Sequence, residues 1–191
     1  MFVVDGIILK KLHIKESKSI VYIYTRDFGK ISAWIRESKL KYPIDIGNVI
    51  NVSITTKGNV NQIDSYKIKK IINYSSLTFG SISNILELIT YLYKIIPEGV
   101  PSENTFDEYL ELIELMENNE MNKNSTEFFK LKLITKAGIG INSEKSMNFK
   151  KLFEFAKSNK VTKMIQIKGI SESLMDEISE FNKESYNLYL K

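Results

Sequence analysis

The hydrophobic period changes once along this chain, and the change divides it. Up to Ser75 apolar residues recur in short runs at every second position, the repeat of a strand with alternate side chains on opposite faces. From Ser76 onward they recur at three and four, the repeat of a helix with one buried stripe. Strands followed by helices predict an α+β chain with two domains, residues 1–75 and 76–191. Charge divides at the same place: 13 Lys and Arg against 6 Asp and Glu before the boundary, 14 against 17 after it. A positive surplus confined to a small β-rich module predicts that a polyanion binds there. The helical remainder is expected to supply stability and partner surfaces.

Five strands fit the first module. Phe2 to Lys10 opens it, and Ser19 to Thr25 follows with apolar residues on both faces, as a closed barrel requires. Arg26-Asp27-Phe28-Gly29 reads as a turn in which Gly29 takes a positive φ. The third strand, Lys30 to Arg36, sends Ile31, Ala33 and Ile35 to one face and Lys30, Ser32, Trp34 and Arg36 to the other. After a basic connection come Val49 to Thr55, a Lys57-Gly58-Asn59 hairpin, and a fifth strand from Val60 to about Asn73. Short strands with a long connection after the third predict a five-stranded Greek-key barrel of the oligonucleotide-binding (OB) type. The pattern alone also fits an SH3-like barrel.

Helical stripes follow. Ile82, Ile85, Leu86, Ile89, Leu92, Tyr93 and Ile96 form one, ended by Pro97-Glu98-Gly99. Thr105 and Glu108 read as a capping box ahead of Phe106, Tyr109, Leu110, Ile113 and Met116. Phe128 to Ile134 is apolar around most of a helix and stops at Gly138 and Gly140. Phe149, Leu152, Phe153 and Ala156 mark a fourth helix, and Ser171 caps one carrying Leu174, Met175, Ile178 and Phe181.

The residue inventory excludes several chemistries. The absence of cysteine removes disulfides, thiolate zinc sites and a Cys nucleophile, and His13, the only histidine, removes any multi-His metal centre. No glycine-rich phosphate loop follows a strand. Glu108, Glu111, Glu114 and Glu117 read as the solvated face of a helix rather than a cation site. No catalytic residue, metal site or cofactor is expected, and the chain is read as a non-enzyme. No secretory leader or membrane-length apolar run is visible, so a cytoplasmic protein is expected.

The candidate site is the outward face of the third strand with its neighbouring loops: Lys10, Lys11, Lys15, Lys18, Arg26, Lys30, Trp34, Arg36, Lys39 and Lys41. Binders of single-stranded nucleic acid combine a cationic groove along the phosphates with aromatic platforms for bases, and Trp34 between Lys30 and Arg36 has that composition. The bland alternative is a solvated basic surface with Trp34 as a packing residue.

Three stretches carry a family resemblance. The first is Asp5-Gly6-Ile7-Ile8-Leu9, then Lys15-Glu16-Ser17, then Ile20 through Thr25-Arg26-Asp27-Phe28-Gly29-Lys30-Ile31. The second is Leu86-Glu87-Leu88 with Ile96-Pro97-Glu98-Gly99-Val100-Pro101, Phe106 and Leu110. The third is Phe128-Phe129-Lys130-Leu131-Lys132-Leu133, ending at Gly138. In order and spacing they resemble the bacterial recombination-mediator family RecO. The resemblance implies an OB barrel on an α-helical domain, binding single- and double-stranded DNA and annealing complementary strands in DNA repair and recombination. It also implies partnership with RecR, contact with the C-terminal tail of single-stranded-DNA-binding protein, promotion of RecA loading, and a nucleoid-associated location. Many members carry a four-cysteine zinc knuckle after the helix that ends here at Gly138; Ile139 to Phe149 has none. A rival reading of the same barrel is a protein-interaction scaffold that docks a partner rather than DNA.

Overall fold

The computed structural model describes residues 1–15, 17–36, 42–102, 104–118 and 124–188. The chain forms two compact units, Met1–Thr78 with Ile96–Phe106, and Phe79–Ile95 with Asp107–Lys191. It leaves the first unit through one helix, returns to it for the segment Ile96–Phe106, and then leaves again.

The first unit is a closed barrel of β1 (Phe2–Lys15), β2 (Lys18–Thr25), β3 (Gly29–Arg36), β4 (Val49–Lys57) and β5 (Val60–Lys70), in the order β1-β2-β3-β5-β4. Neighbours are antiparallel except β3 and β5, which meet in parallel at Trp34 and Gln62. This is the OB order, and the SH3-like alternative falls away. β1 runs past the expected Lys10 because its two halves serve different neighbours. Phe2 to Ile7 pair with β4 and Gly6 to Lys15 with β2, with a register shift between Ile8 and Lys10 where the strand bends. Closure leaves no long unpaired edge to recruit another chain.

The barrel interior takes Val4, Ile8, Val21, Ile23, Ala33, Ile35, Ile50, Val52, Ile54 and Ile63, the inward members of the period-two pattern. The outward side of β2 is apolar for a separate reason. Tyr24, fully buried there, donates its hydroxyl to the Ser102 carbonyl at 3.2 Å, within the returning segment. That segment closes on the β2–β3 turn: the Gly99 N–H donates to the Lys30 carbonyl at 2.9 Å, and Glu98 bridges Lys30 in parallel. Gly29 is required twice. Its φ is +67°, and a β-carbon there would lie 2.2 Å from the Val100 carbonyl oxygen. The Thr25 hydroxyl pins the turn, donating to the Gly29 carbonyl at 2.9 Å and accepting from the Phe28 N–H at 3.1 Å.

The second unit contains α1 (Phe79–Ile95), most of α2 (Thr105–Glu117), α3 (Ser125–Lys136), α4 (Met147–Ser158), α5 (Val161–Ile165) and α6 (Glu172–Leu188). The buried stripe of α1 centres on Ile85, Leu88, Ile89, Tyr91 and Leu92, and Leu86, expected inside, is exposed. Every residue of α3 from Phe128 to Ile134 is buried, as a helix packed by α1, α4, α5 and α6 demands. Two of these are lysines. Lys130 pairs with Glu87 at 2.5 Å and Glu127 at 2.7 Å, while Lys132 donates to the carbonyls of Ala156 at 2.6 Å and Lys157 at 3.3 Å. Those carbonyls belong to the last turn of α4, where no helical N–H remains to meet them. Burial pushes the Lys132 amine below the usual lysine value.

Gly138, at φ +77°, ends α3 as expected, and the turn beyond it leads to the Ser146 cap of α4, whose hydroxyl accepts from the Phe149 N–H at 3.1 Å. Phe149, Leu152, Phe153 and Ala156 are buried, and Ser171 caps α6 through the Leu174 N–H at 3.3 Å. Among the described residues no helix is long and apolar enough to cross a membrane.

Candidate nucleic-acid interface

The β1–β2 and β2–β3 registers place Lys15 opposite Lys18 and Lys18 opposite Arg36. Three exposed cations therefore stand in a row across three strands, each about 4.8 Å from the next strand. Like charges directly opposite each other destabilise a sheet, so the row is an electrostatic cost to the fold. None of the three meets a carboxylate among the described residues.

Trp34 lies two residues before Arg36 on the same face of β3, half-buried, with Gln62 of β5 beside it. Lys18, Trp34, Ile35, Arg36, Val60 and Gln62 line one open pocket of about 360 Å³. An aromatic wall, an exposed Val60 and two lining cations that meet no carboxylate among the described residues match a flat apolar ring joined to an anion, which is the make-up of a nucleotide. The Asn61 amide donates to the Ser32 carbonyl at 3.1 Å and ties β5 to β3 beside this pocket.

The other candidates distribute differently. Lys10 and Lys11 are half-buried on β1, opposite Tyr22 and Val21. Arg26 and Lys30 lie at the turn end of the β2–β3 hairpin, whereas Lys18 and Arg36 form its open end. The Arg26 guanidinium packs 4.8 Å from the Phe106 ring centre. Lys30 requires a correction. Alternation along β3 puts it on the face of Trp34, but it is only 8 % exposed, because the Gly99 strap covers that end of the face. Lys39 and Lys41 lie outside the described residues.

Val60 and Gln62 have no signal in the local sequence, since they reach the pocket only through the parallel β3–β5 contact. Asp5, also not singled out, accepts from Lys69 and Asn51, both at 2.7 Å. Burial works to raise its carboxyl, and those two bonds with the nearby charge of Arg26 outweigh it, holding Asp5 below the usual carboxylate range.

The remaining titratable candidates are occupied by structure. His13 shares a 3.1 Å hydrogen bond with the Ser19 hydroxyl. Glu108, expected on a solvated face, is instead buried and 3.7 Å from Lys136, and burial raises its carboxyl above the usual range. Glu111 pairs with Lys160 at 3.2 Å. Among the described residues no three His, Asp or Glu side chains are grouped to hold a metal ion.

The closed OB barrel thus carries a cationic row and an aromatic pocket on its outer face. Residues 1–72 match the family model described as recombination protein O N terminal. Over that stretch the chain is similar to the N-terminal domain of a recombination protein. No curated protein matches the chain.

Proposed function

We propose that this protein is a non-enzymatic DNA-binding and strand-annealing mediator of recombinational repair. The observation that carries the reading is the row Lys15, Lys18 and Arg36 beside the Trp34 pocket. A row of like charges that meets no carboxylate among the described residues costs stability, and a polyanion recovers that cost. In this reading phosphates follow the row and one base stacks on Trp34, while Lys10 and Lys11 extend the positive field along β1. Neutralising the phosphates of two complementary strands lowers the electrostatic cost of their encounter, and base pairing supplies the free energy. Neither nucleotide hydrolysis nor a metal is needed. RecR, the C-terminal tail of single-stranded-DNA-binding protein and RecA loading enter as the partners through which a family member would deliver its strands.

The test is annealing of labelled complementary oligonucleotides beside a single-strand anisotropy titration. Annealing without ATP and in EDTA is expected, with sequence-tolerant binding. Zinc-restored activity after EDTA would overturn the metal-free mechanism. Absence of DNA binding by the folded protein would favour the scaffold reading, in which the barrel docks a protein.

A further inference from the structure

A second basic surface lies in the helical unit. Residues 76–191 are acidic in sum, yet between residues 139 and 170 there are seven Lys against two Glu. Four of the seven are engaged. Lys145 pairs with Glu184 at 3.7 Å, Lys157 with Glu154 at 2.6 Å and Lys160 with Glu111 at 3.2 Å, and Lys150 donates to the Ser143 carbonyl at 2.7 Å. Lys151 on α4, Lys163 on α5 and Lys168 in the turn before α6 are exposed and meet no carboxylate among the described residues.

Lys151 and Lys168 line one groove of about 460 Å³ between α4 and that turn, together with Leu152, Phe155 and Gly169. Gly169 has a φ of +75°, and nothing lies within 4 Å of where its β-carbon would be, so the backbone of the turn is open to close approach. Two of the acids on α4 and α6 are engaged, while Asp176 and Glu144 are exposed. Glu154 is held by Lys157, and Glu177 accepts from the N–H and hydroxyl of Ser146 at 2.8 and 2.6 Å. Glu172, in the first turn of α6, remains exposed beside the groove.

We propose that α4, α5 and the turn before α6 form a second, sequence-independent contact for a nucleic-acid backbone, separate from the barrel site. Cations that meet no carboxylate among the described residues, spread over two helices and a turn, match a repeated negative charge better than a single carboxylate. A chain with two such contacts holds two strands at once. This rests on the barrel reading only for the identity of the polyanion.

The test uses the full chain with two differently labelled oligothymidylate strands, which cannot pair with each other, and reads energy transfer between them alongside anisotropy on one strand. The wild type should give energy transfer at stoichiometric protein. Lys151→Gln/Lys163→Gln/Lys168→Gln, folded by circular dichroism, should lose most of it. Its salt slope for the second strand should fall by about 2, three contacts at about 0.7 each, while affinity for one strand stays near wild type. Lys183→Gln, which removes an exposed charge elsewhere on α6, should change neither. Undiminished energy transfer in the triple variant overturns the proposal, and so does wild-type protein that binds one strand tightly but never two. Wild-type protein that binds no strand overturns the barrel reading as well. An acidic protein segment as the true occupant would leave the triple variant's DNA behaviour unchanged.

Discussion

Replacing two members of the cationic row should move stability and binding in opposite directions. In Lys18→Gln/Arg36→Gln, Lys15 loses its like-charged neighbour and the Lys18–Arg36 pair disappears. Each directly opposed pair is worth about 0.2–1 kcal/mol in a sheet, so the barrel should gain up to about 1–2 kcal/mol at low salt. Both side chains are exposed, so screening reduces this gain as salt rises. Single-strand binding should lose two phosphate contacts, which lowers the slope of log K against log salt by about 1.4. Carried from 1 M to 0.1 M salt, that slope change corresponds to about a 25-fold weaker complex. Urea denaturation at low and high salt gives the first quantity, and anisotropy titrations across a salt series give the second. A variant that is more stable and binds with an unchanged slope would refute the assignment of this row to phosphates.

Trp34 is the only tryptophan, so its fluorescence reports directly on its pocket. Single-stranded DNA should quench it, and Trp34→Ala should weaken binding by about 1–3 kcal/mol while Trp34→Phe loses less; an unquenched signal at saturating DNA would remove Trp34 from the contact. Gly29→Ala should cost more than the roughly 1–2 kcal/mol of a left-handed residue, because its β-carbon also meets the Val100 carbonyl; a neutral effect on the urea midpoint would show that the strap yields freely. The raised carboxyl of Glu108 means that the folded state keeps a proton the unfolded chain has released. Stability should therefore fall as pH rises from the ordinary glutamate value through the raised one, and Glu108→Gln should flatten that decline; an unchanged pH profile in the variant counts against it.

Much of the barrel was legible in the chain because a strand's period is local. Ile31, Ala33 and Ile35 alternate with Ser32, Trp34 and Arg36, and the two sets separate into barrel interior and outer face. The β2–β3 turn and the stop at Gly138 were equally legible, since positive φ selects glycine whatever surrounds it. Helix stripes came through less sharply: Leu86 and Leu88 suit the stripe of α1 about equally, and packing against α3 and α6 selected Leu88.

Tertiary structure decided what residue type leaves ambiguous. A lysine in a pattern reads as solvated, yet Lys30 is covered by a strap arriving from beyond α1, and Lys132 is buried as the cap of a helix that follows it in sequence. Glu108 likewise turned inward to a cation more than two dozen positions later. The row Lys15, Lys18 and Arg36 and the pocket of Trp34 with Val60 and Gln62 exist only through strand register and barrel closure. Local propensity set which faces the strands would have, and long-range pairing set which charges on those faces became neighbours, because electrostatic proximity depends on distance in space and not on separation along the chain.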